Sequence, residues 1–97
     1  PHAAKYLAEK LTALKAQISG RIIAVCGMLK DKDAESVFNQ LTSVIDQWYC
    51  VTLGGYRGQS GDDLNAKLTT VCPSAKSVSE DSVAEGVQSA VKNAGEL

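Results

Sequence analysis

The sequence lacks any long apolar stretch. Its longest uninterrupted apolar run is the five residues from Ile22 to Cys26, whereas a membrane-spanning helix needs about twenty. The amino-terminal residues also lack the charged, apolar and small-residue order of a signal peptide. We therefore expect a cytoplasmic protein.

Charge of one sign is not concentrated anywhere either. Ten Lys and Arg residues against eleven Asp and Glu residues give a net charge of −1, and the basic residues are spread along the chain. Nucleic acids and anionic membranes are bound through basic patches. We therefore expect neither of them as a partner.

Motifs for metal binding and nucleophilic catalysis are scarce. The three widely spaced cysteines include no Cys-x-x-Cys pair, which argues against a disulfide framework and a zinc site. Cys26 and Cys50 are expected to be buried free thiols. No phosphate-binding loop, dinucleotide fingerprint or Gly-x-Ser-x-Gly elbow is present, and His2 is the only histidine. The residues themselves thus predict no metal site, no independent nucleotide site and no hydrolase.

What is present is an alternation of helix and strand patterns in 97 residues, of which 44% are hydrophobic, enough for one domain. An amphipathic helix is predicted over 3–18 by apolar residues at helical spacing, namely Leu7, Leu11, Leu14 and Ile18. A run rich in β-branched residues at 21–26 predicts a strand buried on both faces. Asp33 is expected to cap a second helix, whose apolar face is Val37, Phe38, Leu41, Val44 and Ile45.

The second half repeats this pattern. A strand is predicted at 48–53, a Gly-rich loop at 54–59, and then a helix that Ser60 caps and that ends at Cys72. The apolar face of that helix is Leu64, Leu68 and Val71. A weak strand is predicted at 75–78. A last helix is expected to start at 79–81 and end at Gly95, with an apolar face of Val83, Val87, Ala90, Val91 and Ala94.

The order α-β-α-β-α-(β)-α predicts an α/β fold with a mostly parallel sheet and right-handed crossovers. We expect the sheet to be truncated at both ends, because two strands and one weak one cannot cover four helices. Pro1 suits the first turn of a helix but has no capping residue before it, and there is no initiating Met. We expect a strand before Pro1, another after Leu97, and dimerisation or domain swapping through the exposed sheet edges.

Charged residues follow the first strand. In the segment 27–33, Gly27 lets the backbone approach a ligand, and Lys32 offers a point charge for a phosphate or carboxylate. Asp31 and Asp33 are suited to hold Lys32 or to cap the helix. The alternative is a solvated loop in which Asp33 is only a helix cap.

Arg57 lies in the corresponding loop after the second strand. Loops that follow neighbouring parallel strands share one edge of the sheet, so Lys32 and Arg57 are expected on the same side of the domain, where they could form an anion site. A guanidinium can hold a carboxylate with two hydrogen bonds. The alternative is a solvated Arg57. Trp48 is expected in the core or an interface.

Four strings together show a family resemblance. The sequence resembles the C-terminal domain of bacterial bifunctional folylpolyglutamate synthase/dihydrofolate synthase, of the Mur ligase superfamily, over nearly its whole length. The residues that carry the resemblance are Pro1-His2-Ala3-Ala4, Gly27-Met28-Leu29-Lys30-Asp31-Lys32-Asp33, Trp48-Tyr49-Cys50 and Tyr56-Arg57-Gly58. The family usually has Pro where this chain has Tyr56.

The resemblance implies a Rossmann-like domain of an ATP-dependent amide ligase. In that family MgATP phosphorylates a pteroate or folate carboxylate, and the amine of L-glutamate attacks the acyl phosphate. ATP, Mg²⁺ and the pterin substrate would be held with a larger N-terminal ATPase domain that this chain lacks. Residues 1–97 would thus be a partial Mur-ligase-type C-terminal (glutamate ligase) domain, inactive alone and binding no cofactor by itself.

The resemblance also implies which residues bind substrate. Lys32 would meet the incoming glutamate or the acyl phosphate, and Asp33 and Arg57 are the next candidates. The Asp and His of the family that help to bind nucleotide would lie before Pro1. No residue of this chain is assigned a certain catalytic role.

A different class of function also fits the pattern. The chain could be a free-standing, receiver-like α/β interaction module that dimerises through its sheet edges. A receiver module would carry a phosphoacceptor Asp at a strand end, whereas Gly27 and Gly54 follow the strands here. This difference favours the ligase.

Overall fold

The structure is a computed structural model that describes residues 6–10, 13 and 20–95. Strands and helices alternate in the order β1 (Ile23–Cys26), α1 (Ala34–Leu41), β2 (Gln47–Val51), α2 (Gly61–Val71), β3 (Ser77–Glu80) and α3 (Val83–Gly95). Residues 6–10 and Ala13 are also helical, as predicted for the amino-terminal helix. The rest of that predicted helix, together with Pro1 and His2, lies outside the described residues.

The three strands form one parallel sheet in the order β1-β2-β3. Ile23 is opposite Gln47 on the first pair, and Trp48 is opposite Ser77 on the second. The predicted α/β fold with a parallel sheet is therefore confirmed. Because β2 is central, Trp48, Tyr49, Cys50 and Val51 are all buried.

The two faces of the sheet pack against different helices. Alternate side chains of a strand point to opposite faces, and Trp48 and Cys50 belong to the core cluster with residues of α1 and α2. Phe38 of α1 meets Trp48 edge to face, with ring centroids 5.2 Å apart, and Leu64 and Leu68 of α2 are fully buried. Trp48 is thus a core residue, which was one of the two predicted environments, the other being an interface.

The other face carries α3. The side-chain amide of Asn93 donates a hydrogen bond to the Tyr49 hydroxyl at 2.9 Å, and Gly86 is buried against Val51. A Cβ at Gly86 would overlap Cγ1 of Val51, so this position admits only glycine at the observed helix-to-sheet distance. The helix makes its close approach to the sheet at Gly86.

Two burial predictions are wrong. The first strand is not buried on both faces, because β1 is at the edge of the described sheet and Val25 is 37% exposed. The predicted apolar face of the last helix is also largely exposed. Val83, Val87 and Val91 are 48%, 46% and 66% exposed, because the close approach at Gly86 turns them to the flank of α3.

Several element boundaries also differ from prediction. The strand β2 begins at Gln47 and ends at Val51, and β3 spans Ser77–Glu80 because it pairs with Trp48 to Val51. The last helix therefore starts later than predicted, at Val83, and Ser82 Oγ accepts a hydrogen bond from the Glu85 backbone at 3.1 Å. The helix α1 ends at Leu41, and Val44 and Ile45 pack against the core from the turn that follows.

The helix caps were predicted correctly. Asp33 Oδ1 accepts a hydrogen bond from the Ser36 backbone at 3.1 Å, and Ser60 Oγ accepts one from the Asp63 backbone at 3.0 Å. Each bond satisfies one of the free N–H groups in the first turn of a helix. Cys72 ends α2, as predicted. Within the described residues, no helix combines the length and apolar character that a membrane crossing requires.

Candidate functional site: two paired loops at the carboxyl edge of the sheet

The charged residues singled out from the sequence lie in two loops at one edge of the sheet. We call residues 27–33, which follow β1, loop 1, and residues 52–60, which follow β2, loop 2. Because β1 and β2 are parallel neighbours, both loops leave the sheet at its carboxyl edge. This is the edge at which open α/β sheets bind ligands.

The two loops pair with each other through their backbones. Leu29 and Gly58 form an antiparallel bridge. The Lys30 backbone donates to the Arg57 carbonyl at 2.7 Å, and the Gln59 backbone donates to the Met28 carbonyl at 3.1 Å. Loop 1 is thus held by loop 2 and does not depend on β1 and α1 alone.

Glycines make this pairing possible. A Cβ at Gly58 would overlap the Leu53 carbonyl oxygen, so a larger residue would force the hairpin of loop 2 open. Gly55 has a φ of +84°, in the left-handed region that glycine adopts without strain. The Gly58 backbone closes the turn by donating to the Gly55 carbonyl at 3.2 Å.

Arg57 is engaged by loop 1. Its guanidinium donates to the Asp31 carboxylate at 2.9 Å, and the two side chains are 58% and 60% exposed. The prediction that the two loops share one side of the domain is therefore confirmed. The acidic partner of Arg57 is Asp31, which the sequence suggested as a partner for Lys32 or as a helix cap.

Lys32 differs from Asp31, Asp33 and Arg57, whose side chains all have partners. Its backbone accepts from the Ala34 N–H at 3.0 Å and donates to the Leu29 carbonyl at 3.2 Å, which places it in a turn directly before α1. The side chain is exposed and forms no hydrogen bond or ion pair with the described part of the chain. Asp33 is occupied as a helix cap. Lys32 therefore presents its ammonium group to solvent from a fixed turn.

Gln59 is a residue of the site that sequence reasoning missed. It is 2% exposed, and its amide Nε2 donates to the Leu29 carbonyl at 3.2 Å while Oε1 accepts from Lys67 Nζ at 3.1 Å. A glutamine in a Gly-rich loop gives no sequence signal of burial, because glutamine is usually exposed. Its burial follows only from the pairing of the loops.

Thiol chemistry is not available beside the loops. Burial raises the pKa of the Cys26 thiol, at the end of β1, to about 11. Burial and, to a smaller extent, the neighbouring Cys26 raise the pKa of Cys50 to about 12. Both thiols are therefore protonated at neutral pH and are poor nucleophiles.

No metal site is built from protein side chains in the described residues, which contain no group of three or more His, Cys, Asp or Glu that could hold an ion. An open cavity of about 340 Å³ lies at the opposite, amino edge of the sheet. Arg21, Asp46 and Lys76, which precede the three strands, are among the residues that line it. The loops rather than this cavity carry the residues that the sequence singled out.

Comparison with known proteins gives the family that the sequence motifs predicted, over nearly the whole chain. The family model described as Mur ligase, glutamate ligase domain matches residues 1–96. The dihydrofolate synthase/folylpolyglutamate synthase of Haemophilus influenzae is 64% identical over 94 residues, which cover 97% of this chain and 22% of that protein. The Escherichia coli protein of the same name is 40% identical over 94 residues, or 97% of this chain and 20% of the relative.

Solved structures agree. Escherichia coli FolC in complex with DHPP and ADP has a TM-score of 0.84 and 40% identity, and the match covers 97% of this chain and 21% of that one. A bifunctional folylpolyglutamate synthase/dihydrofolate synthase with Mn, AMPPNP and L-glutamate bound has a TM-score of 0.76 and 35% identity, over 97% of this chain and 21% of the other. The chain thus spans about a fifth of the length of these relatives.

Proposed function

The chain belongs to the family of Mur ligase glutamate ligase domains, as its motifs predicted, and we propose that it is part of a dihydrofolate synthase/folylpolyglutamate synthase. The intact enzyme would use ATP to join L-glutamate to dihydropteroate, tetrahydrofolate or both through an acyl phosphate. The observation that carries this proposal is the 64% identity to a protein of that name along 97% of the chain.

The cofactors would be ATP and Mg²⁺, bound by the intact enzyme. Solved relatives are complexes with ADP or with AMPPNP and Mn, which supports a nucleotide and a divalent cation. Residues 1–97 contain no phosphate-binding loop. We therefore propose that the nucleotide and the pterin substrate are bound mainly by an N-terminal ATPase domain, and that this C-terminal segment is inactive by itself.

Within this chain, Lys32 would bind a carboxylate of glutamate or the acyl phosphate. This role is supported by its exposed side chain, which has no partner in the described part of the chain, and by its position directly before the amino terminus of α1, which favours anions. Arg57 would add a second cation once a substrate carboxylate competes with Asp31. Asp33 would act by holding the turn before α1.

Substitution of Lys32 tests the proposed site in the intact ligase. Lys32→Ala should lower kcat/KM for glutamate by a factor of about ten or more, as expected for the loss of one charged hydrogen bond. Steady-state kinetics with glutamate varied at saturating ATP measure the effect. Lys30→Ala is the matched control, because Lys30 is an exposed lysine of the same loop. Unchanged glutamate kinetics in Lys32→Ala would remove Lys32 from the site.

The alternative function, a receiver-like interaction module, is not favoured. The relatives reported above are named as synthases, and no phosphoacceptor Asp stands at the end of β1 or β2, where Gly27 and Thr52 follow.

A cytoplasmic location is also part of the proposal, because the reaction consumes ATP from the cytoplasmic pool. For the 97-residue chain alone we propose self-association through its sheet edges, argued below.

A further inference from the structure

Among the described residues, Gln59 is the only polar one whose side chain is buried. Burying an amide is unfavourable unless its hydrogen bonds are satisfied, and here both ends of the side chain are used. The backbone is used as well, because its N–H donates to Met28 and its carbonyl accepts from the Leu53 N–H at 3.2 Å. One residue thus joins loop 1, loop 2 and α2.

The contact with loop 1 reaches the turn that carries Lys32. The Leu29 carbonyl accepts the amide of Gln59 at 3.2 Å and also accepts the backbone N–H of Lys32 at 3.2 Å. The two donors therefore share one acceptor. Any movement of Leu29 relative to Gln59 alters the turn that fixes Lys32.

Lys67 and the Leu29 carbonyl both favour the observed orientation of the Gln59 amide, because the carbonyl can only accept a hydrogen bond. An ammonium group is only a donor, so it pairs with Oε1 and leaves the Nε2 end to face the Leu29 carbonyl. Lys67 lies on α2 and is half-buried. The rigid helix is in this way connected to loop 1 through a single side chain.

We propose that Gln59 is a positioning residue that sets the turn of Lys32 and so the glutamate affinity of the ligase. The inference rests on the proposed function only for its kinetic consequence. The structural consequence, control of the Lys32 turn by the Gln59 amide, stands on the hydrogen bonds alone.

Three substitutions distinguish the hydrogen bond donated by Nε2 of Gln59 from the one accepted by its Oε1. Gln59→Leu removes both side-chain bonds at similar volume. Gln59→Glu keeps an acceptor for Lys67 but cannot donate to the Leu29 carbonyl. Lys67→Met removes the partner of Oε1 and leaves the amide donor in place, so it is the matched control. If positioning depends on the donor, the first two variants change loop 1 and the third changes it much less.

The kinetic test uses the intact ligase. Both Gln59 variants should raise KM for glutamate about three- to tenfold, the usual effect of one buried hydrogen bond, with KM for ATP unchanged. The double variant Gln59→Leu/Lys32→Ala should be no worse than Lys32→Ala alone, because the effect of Gln59 passes through Lys32. Additive losses in the double variant would overturn the positioning role.

Amide hydrogen exchange on the same samples tests the inference independently of activity. The Lys32 amide should exchange faster in both Gln59 variants than in the unaltered protein or in Lys67→Met, since its acceptor is no longer fixed. Exchange that is unchanged in both Gln59 variants would refute the inference. If the unaltered protein fails to use glutamate, the proposed function is wrong, and the exchange result still decides whether Gln59 controls the turn.

Discussion

At the scale of single residues, the charges of the paired loops have unequal roles. Asp31 and Arg57 neutralise each other in an exposed ion pair, which contributes at most about 1 kcal/mol to stability. The Asp33 carboxylate caps α1 by accepting a hydrogen bond from the Ser36 backbone. Lys32 has a fixed backbone and an unpartnered side chain within the described part of the chain, as Lys30 also has, but Lys32 lies directly before the amino terminus of α1, where an anion is favoured.

The buried thiols predict a loss of stability at alkaline pH. Burial raises the pKa of Cys26 from 9.0 to about 11 and that of Cys50 to about 12. Between pH 9 and these values, the unfolded state has already lost the thiol protons that the folded state keeps. The free energy of unfolding should therefore fall above pH 9, by on the order of 1 kcal/mol per pH unit and thiol.

Urea denaturation at a series of pH values between 8 and 11 measures this effect. Cys26→Ala should flatten the fall, because one of the two titrating thiols is gone. Cys72→Ala keeps both strand thiols and is the control, since it should retain the fall. An identical pH dependence in Cys26→Ala and the unaltered protein would contradict the assignment.

The residues that could be predicted from sequence are those whose partners are close in the chain. The caps Asp33 and Ser60 bond to residues three positions later, so the local pattern contains the whole interaction. The Asp31–Arg57 pair and the Gln59–Leu29 bond join residues 26 and 30 positions apart. They depend on the pairing of two loops, which no local pattern encodes.

At the scale of elements, α3 shows how packing overrides an amphipathic pattern. Its valines recur at helical spacing and so predicted a helix correctly, but they do not form the buried face. The helix approaches β2 most closely at Gly86, where it has no side chain. With Gly86 against Val51, the valines lie at the side of the helix, where they are exposed. The position of this glycine, rather than the position of the valines, therefore determines which side of α3 faces the sheet.

Gly86→Ala tests this explanation. On an exposed helix the change would stabilise by about 1 kcal/mol, whereas overlap with a core side chain costs about 1–3 kcal/mol. Val51 is 1% exposed and has no room to move, so the overlap should dominate and Gly86→Ala should destabilise. Urea denaturation measures the difference.

Gln88→Ala in the same helix is the control, because Gln88 is exposed and outside any contact described for α3, and its truncation should change the free energy of unfolding by less than about 0.5 kcal/mol. An increase in stability for Gly86→Ala would show that the helix can move away from β2. In that case the exposed valines would need another explanation.

At the scale of the whole molecule, α3 lies on the face of the sheet opposite to α1 and α2, and this limits where a following strand could pair. The helices α1 and α2 lie on one face while the chain advances from β1 to β3. Since crossovers between parallel strands are right-handed, a helix on the other face returns the chain in the opposite direction. In the sheet formed by the described residues, the first open position for a parallel strand after α3 is therefore beside β1.

The surface at that position is apolar. Ser89 of α3 donates to Glu80 of β3 at 2.8 Å, so one flank of the helix faces β3. Val87 lies about 160° around the helix axis from Ser89 and therefore faces away from β3, toward the β1 side. We define the β1 flank as the exposed apolar residues on this side, namely Val25, Val83, Val87 and Val91.

The 97-residue chain on its own should therefore self-associate through the β1 edge and the β1 flank, since an open edge strand beside apolar side chains is a pairing site. Sedimentation equilibrium should give a concentration-dependent mass above 10.2 kDa, and Val87→Lys should lower it toward the monomer. Val78→Lys is the control, because Val78 is a similarly exposed valine (43%) on the β3 edge. A well-folded monomer at all concentrations would contradict the prediction, and an effect of Val78→Lys alone would move the contact to β3.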